Sequence, residues 1–178
     1  MDQLLLFLIS SIALTLIPGP DIIFVLNQSL ENKKSGLLIS IGLCSGLVIH
    51  TLILVFGLSV FIETNEYLIN YLKYFGTLYL FYLAYAELKT KFNVDAKFEN
   101  TNLFFRGLYM NLVNPKVLLF FIAYFPNFLF SETISTSLQF LVLGSIFISQ
   151  ALIIFFIASI ASNNLASFLK IDTKNYKL

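Results

Sequence analysis

The chain has 178 residues, of which 58% are hydrophobic and 12% charged, against about 45 to 50% and 25% in soluble domains. This composition excludes an ordinary water-soluble domain and predicts an integral membrane protein. A net charge of +1 provides no basic surface for a phosphate backbone, so nucleic-acid binding is excluded. The single cysteine, Cys44, lacks a second thiol for a disulfide or a Cys-rich metal site, and we expect no cofactor or metal.

Several apolar segments are long enough to cross a bilayer, since a hydrocarbon core of about 30 Å requires roughly 20 helical residues. The sequence therefore predicts an all-α fold, a membrane helix bundle of about five transmembrane helices forming one domain over residues 1–178. The first segment lacks a basic start and a cleavage motif, so we interpret it as a retained helix and not a signal peptide. The predicted helices cover residues 3–26, 36–61, 67–86, 104–129 and 137–161.

Basic residues follow the first, third and fifth predicted helices, and the other two connections have none. Because cytoplasmic loops carry the excess of Lys and Arg, this alternation predicts an external N-terminus and a cytoplasmic C-terminus. The residues that set this orientation are Lys33, Lys34, Lys89, Lys91, Lys97, Arg106, Lys170, Lys174 and Lys177.

A break is predicted late in the first helix, where the sequence reads Pro18-Gly19-Pro20-Asp21. Prolines remove backbone donors, and non-helical backbone is tolerated at membrane depth only when it is buried in protein or lines a wet cavity. A buried acid beside such a break indicates a polar cavity. The alternative is a helix that simply ends here, with Asp21 facing the headgroups.

The fourth helix has a similar interruption at Asn114-Pro115-Lys116, preceded by Asn111. Lys116 is the most deeply placed charge in the sequence, which indicates a functional site. The alternative is a lysine whose side chain snorkels toward an interface. Paired interruptions in corresponding segments point to a transporter's binding site, and their spacing implies two halves of inverted topology. We expect Asp21 and Lys116 to pair with each other in an empty site, and with the ammonium and carboxylate groups of an amino acid in an occupied one.

His50 lies midway along the second predicted helix and shares one helix face with Gly42 and Gly46. A histidine there can carry a proton or serve as a neutral hydrogen-bonding group between helices. Glycines at this spacing allow another helix to approach closely, so the pattern favours the second, structural interpretation.

These motifs resemble the LysE/RhtB family of bacterial amino-acid exporters, in order from the N-terminus to about residue 128. The resemblance is carried by IPGPDIIFVLNQSLENKKSGLLISIGLCSGLVIH, by FGTLYLFYLAYAELK and by FFRGLYMNLVNPKVLLFFIAYFPNF. Family members usually carry a sixth hydrophobic segment, whereas this sequence shows only a basic tail after the fifth. The expected fold is therefore a 3+3 inverted repeat with the last helix missing.

The resemblance implies a multi-pass protein of the bacterial inner membrane that exports amino acids or related metabolites, driven by the proton motive force. Its partners would be an amino-acid substrate, protons and the lipid bilayer, with a homo-oligomer as a further possibility, and it would not be an enzyme. Two alternatives stay open: a non-transporting or truncated membrane subunit, and an intramembrane enzyme. By matching positions, the substrate or proton site would comprise Pro18, Gly19, Pro20, Asp21, His50, Asn111, Asn114, Pro115 and Lys116.

Overall fold

The computed structural model describes residues 2–17, 19–89 and 102–168, and every regular element within these ranges is helical. The all-α prediction is therefore confirmed. The elements are α1 (Asp2–Leu16), α2 (Pro20–Glu31), α3 (Lys33–Ile53), a π-helical segment (Leu54–Leu58), α4 (Ser59–Thr64), α5 (Glu66–Lys89), α6 (Leu103–Val113), α7 (Pro115–Tyr124), a 3₁₀ turn (Phe125–Phe128) and α8 (Thr136–Phe168).

The first predicted span is broken, with helices Gln3–Leu16 and Pro20–Leu30 bent by 57° relative to each other. Gly19 is the buried N-cap of α2, in extended backbone, and Pro20 occupies the first helical turn. Proline is well suited to this position because the first helical N–H groups have no partner within the helix. The predicted proline break is present, although Pro18 itself lies outside the described residues.

The fourth predicted span is broken in the same way, with Leu103–Val113 and Val117–Phe128 bent by 54°. Asn114 ends α6, and its backbone N–H donates to the carbonyl of Asn111 at 3.2 Å. The backbone of Pro115 and Lys116 begins α7, while both side chains lie outside the described part of the structure.

Two continuous stretches, Lys33–Thr64 and Thr136–Asn164, are long and apolar enough to cross a bilayer, and each bent pair can supply one more span. These are the candidate spans among the described residues. The tyrosine-rich α5, which contains the third predicted span, is helical but does not meet the same criterion. The five-span count and the orientation therefore stay predictions.

A close backbone crossing joins α3 to α6. A Cβ atom added to Gly107 would lie 2.5 Å from the carbonyl oxygen of Ile39 and 3.3 Å from the Cα atom of Gly42. A Cβ atom on Gly42 would overlap the carbonyl of Phe104. Only glycine lets the two backbones approach so closely, as is typical of small residues at membrane helix contacts.

Polar side chains of α8 connect it to both halves of the first broken span. Near the end of α2, the hydroxyl of Ser29 donates to that of Ser159 at 2.8 Å, and Asn163 Nδ2 donates to the Ser29 carbonyl at 3.1 Å. On α1, Gln150 Nε2 donates to Thr15 Oγ1 at 2.9 Å. Because lipid offers no competing partners, such bonds fix α8 against α1 and α2.

We expect Gly107→Ala to destabilise the fold by about 1–3 kcal/mol, because the added methyl group forces α6 away from the α3 backbone. Unfolding of the purified protein can be followed with a thiol-reactive fluorogenic dye, since the only cysteine, Cys44, is buried. Gly57→Ala is the matched control, because nothing lies within 4 Å of its added Cβ atom. Equal melting temperatures for both variants would contradict the interpretation of the crossing.

Candidate functional site

A cavity of about 330 Å³ lies where the two broken spans meet. Its walls come from α1, α2, α3, α6, α7 and α8. The residues around both helix breaks contribute to it: Gly19, Pro20 and Asp21 from the first, and Asn111 and Asn114 from the second. The structure thus brings five of the nine predicted site residues to one cavity.

Asp21 stands in the first turn of α2, partly buried, and faces this cavity. A carboxylate at the N-terminus of a helix is stabilised by unpaired backbone N–H groups and by the helix dipole, by about 0.3–1 kcal/mol. This favourable local setting explains how an acid is retained beside an apolar cavity. Asp21 therefore lies in the cavity wall, and its depth in the membrane stays a prediction.

Asn111 and Asn114 form the polar part of the opposite wall. The carbonyl of Asn114 accepts from the backbone N–H groups of Val117 at 3.1 Å and Leu118 at 3.4 Å, which starts α7. Asn111 is 1% exposed, and its side chain lies flat against Gly46 of α3. The break is therefore stabilised by hydrogen bonds of its own backbone and by close packing on α3.

His50 does not line the cavity, but it contacts the second break from behind. Its Nε2 atom lies 3.3 Å from the backbone carbonyl of Asn111. Since a carbonyl can only accept, Nε2 must carry the proton of this hydrogen bond. No described residue lies within hydrogen-bond distance of the buried Nδ1 atom. The geometry therefore favours the structural interpretation, in which a neutral His50 joins α3 to α6.

The remaining predicted residues cannot be placed at the side-chain level. Pro18 lies outside the described residues, and the side chains of Pro115 and Lys116 do as well. The pairing of Asp21 with Lys116 is therefore still a prediction. The backbone of Lys116 lies two residues after Asn114 and one before Val117, both of which line the cavity.

Sequence reasoning missed several polar cavity residues. Ser10 and Thr15 of α1 and Tyr124 of α7 line the cavity, and the hydroxyl groups of Ser10 and Tyr124 are hydrogen-bonded to each other. Gln150, 6% exposed, contacts the cavity wall through Thr15. A signal was present, because Gln150 lies at the centre of a long apolar helix, where an amide needs a protein partner.

The rest of the wall is apolar and largely aromatic. Stacked rings of Phe120 and Tyr124, 4.4 Å apart, and of Phe121 and Phe125, also 4.4 Å apart, continue into the core beside Phe147. Among the described residues there is no group of three or more His, Cys, Asp or Glu side chains suited to a metal ion. The cavity thus combines apolar walls with a small number of polar groups, as ligand sites usually do.

If His50 is a neutral interhelical donor, His50→Gln should keep the bond to the Asn111 carbonyl through its amide, whereas His50→Leu should lose it. The expected loss for His50→Leu is about 0.5–1.5 kcal/mol, the net value of a typical hydrogen bond. Dye labelling of Cys44 during thermal unfolding measures both variants. Stability of the Gln variant as low as that of the Leu variant would argue against this role.

Comparisons with known proteins identify the family of this chain. The model of the family described as LysE type translocator matches residues 12–177. The leucine efflux proteins of Salmonella typhimurium and Salmonella typhi are each 31% identical to the chain over 146 residues, covering 78% of this chain and 69% of theirs. No solved structure matches the chain. A bundle of apolar helices with two bent helix pairs, together with these matches, shows that this membrane protein belongs to the LysE type translocator family.

Proposed function

We propose that the chain exports amino acids or closely related metabolites across a bacterial inner membrane, with the substrate bound in the cavity between the broken spans. The observation that carries this proposal is the convergence of Asp21, Asn111 and Asn114 on one cavity. Helix breaks place backbone polar groups at membrane depth, where transporters bind zwitterionic substrates. The names of the related leucine efflux proteins support the same substrate class.

The size and walls of the cavity favour a small substrate with an apolar side chain. A volume of about 330 Å³ is at the lower end of the range for ligand pockets, about 300 to 1,000 Å³. Leu14, Leu47, Val117, Phe121 and Phe147 supply apolar wall, against which an aliphatic side chain can leave water. Neutral amino acids such as leucine satisfy both conditions.

The polar groups of the cavity suggest how such a substrate is oriented. Asp21 is an anionic partner for the ammonium group, and the amide of Asn114 can bond either end of the molecule. Lys116 is our proposed partner for the substrate carboxylate, on the basis of its position in the sequence beside the break. An ion pair between Asp21 and Lys116 would hold the empty site in a neutral state.

Asp21 is also our proposed proton carrier for coupling to the proton motive force. A carboxylate that alternates between a substrate ammonium and a proton exchanges one cation for the other, which is the requirement of antiport. His50 is less suited to the task, because its Nε2–H is engaged with a backbone carbonyl and it does not line the cavity.

Replacing Asp21 by Asn should abolish export while leaving membrane insertion unchanged, because the amide keeps the size of the side chain but not its charge. Cells expressing either form can be grown on a panel of toxic amino-acid analogues, with expression measured in the membrane fraction. Resistance that requires wild-type Asp21 identifies exported compounds.

Glu132→Gln is the matched control, since it makes the same chemical change at an exposed acid outside the cavity. We expect wild-type resistance from this variant. Normal export by Asp21→Asn, or equal loss in both variants, would refute the assigned role of Asp21.

Enlarging Val117 to Phe should reduce the volume of the cavity and discriminate between substrates by size. We expect export of leucine-sized compounds to fall at least tenfold, equivalent to about 1.4 kcal/mol, while export of alanine-sized compounds falls much less. Uptake of labelled amino acids into inverted membrane vesicles measures both. A uniform reduction across the panel would place the substrate elsewhere.

A further inference from the structure

Several side-chain contacts bridge the broken spans directly, including two that involve a polar group. The first is the hydrogen bond between the hydroxyl groups of Ser10 and Tyr124, which joins α1 to α7. The second places the guanidinium carbon of Arg106 4.3 Å from the ring centre of Phe24, which joins α2 to α6. Each contact therefore links one half of the first broken span to one half of the second.

The two contacts lie on opposite sides of the helix breaks. Ser10 precedes the first break and Phe24 follows it, while Arg106 precedes the second break and Tyr124 follows it. Ser10 and Tyr124 line the cavity, and so does Asp21, one helical turn before Phe24. The Ser10–Tyr124 contact thus borders the cavity, and the Phe24–Arg106 contact lies one helical turn beyond Asp21, on the other side of both breaks.

Aromatic rings surround the Ser10–Tyr124 contact. The Tyr124 ring stacks on Phe120 at 4.4 Å and lies 5.6 Å from Phe7 and 4.6 Å from Phe128. This layer consists of van der Waals contacts and one neutral hydrogen bond. Such contacts can separate without leaving a buried charge unpaired, which makes the layer suitable for repeated opening.

The Phe24–Arg106 contact has a different chemistry. A guanidinium group over an aromatic face is held by electrostatic attraction to the ring, and its charge repels other cations from the same passage. Arg106 is partly buried in the first turns of α6, where Asn102 caps the helix by accepting from the Phe104 N–H at 3.0 Å. The contact is therefore anchored close to the start of α6.

We propose that the Ser10–Tyr124 and Phe24–Arg106 contacts are the two gates of the transport cycle. This proposal rests on the proposed function. Both contacts are formed in this structure. Export requires one gate to open while the other stays closed, because simultaneous opening would create a leak through the membrane. From the predicted orientation, Phe24–Arg106 faces the cytoplasm and Ser10–Tyr124 the outside.

The first test measures access to the cavity and needs no substrate. Val117→Cys, in a Cys44→Ala background, places one thiol in the cavity wall, and a membrane-impermeant thiol reagent is applied to vesicles of either orientation. Tyr124→Phe removes the hydrogen bond but keeps the ring, and Arg106→Gln removes the charge. We expect each to raise labelling several-fold from one side only, and the two sides to be opposite.

Tyr109→Phe and Lys34→Gln are matched controls, since they make the same chemical changes at exposed positions outside both contacts. Labelling in these variants should equal that of the parent. Increases from the same side for Tyr124→Phe and Arg106→Gln, or no increase in either, would overturn the proposal. A thiol that stays unlabelled in every background would overturn it as well.

The second test locks each gate in the cysteine-free background. The pairs Ser10→Cys with Tyr124→Cys and Phe24→Cys with Arg106→Cys are treated with a short, cleavable bis-thiol reagent. Export should fall to background on cross-linking and return on cleavage. Ser59→Cys with Ser137→Cys is the control pair, because these hydroxyl groups are 2.9 Å apart in a contact that does not bridge the broken spans.

Undiminished export from a cross-linked gate pair would refute its role. The two tests also separate this inference from the proposed function. Opposite-sided labelling without export of any amino acid would retain the gates and reject the substrate class. Export of amino acids without opposite-sided labelling would retain the substrate class and reject the gates.

Discussion

Every backbone polar group that leaves a helix inside a bilayer must find a partner within the protein, and this requirement organises the bundle. At the second break the Asn111 carbonyl accepts hydrogen bonds from the Asn114 N–H and from His50 Nε2. The Asn114 carbonyl accepts from the backbone N–H groups of Val117 and Leu118. At the first break, the Gly19 carbonyl accepts from Ile23 at 3.1 Å. The breaks are therefore stable features, and the cavity forms beside them.

The close crossing of α3 and α6 makes the hydrogen bond from His50 to the second break possible. Gly42 and Gly107 bring the α3 and α6 backbones together, and Gly46 gives room to the side chain of Asn111. One turn further along α3, His50 then comes within hydrogen-bond distance of the Asn111 carbonyl. The glycines and the histidine on one face of α3 thus act together to pack α3 against α6.

The sequence was sufficient to predict the all-α fold, both helix breaks and the face shared by Gly42, Gly46 and His50, because these depend on local rules for proline, glycine and helix period. It also identified Asp21, Asn111 and Asn114, which the fold brings to one cavity. It could not predict the other walls, because they come from helices distant in sequence. Ser10 and Tyr124, for example, are 114 positions apart and become partners only through packing.

Gln150 was missed for a different reason. Its chemistry is visible in the sequence, but that of its partner Thr15 is not. A threonine hydroxyl in a helix often donates to a carbonyl of the preceding turn, and Thr15 does so to the carbonyl of Ser11 at 2.9 Å. Local hydrogen bonding of this kind conceals a long-range role. A mid-helix amide in an apolar span is therefore the better starting point for finding a buried contact.

The connection between α2 and α3 is a single residue, Asn32, which ends one helix and caps the next by accepting from the Lys34 N–H at 2.9 Å. So short a corner couples the two helices mechanically, and Ser29 adds a further attachment of α2 to α8. The second half of the first broken span, α2, is thus attached firmly to α3 and α8. Because α2 and α6 are both held against α3, the Phe24–Arg106 contact must open by rearrangement of its two side chains and not by a rigid movement of α2.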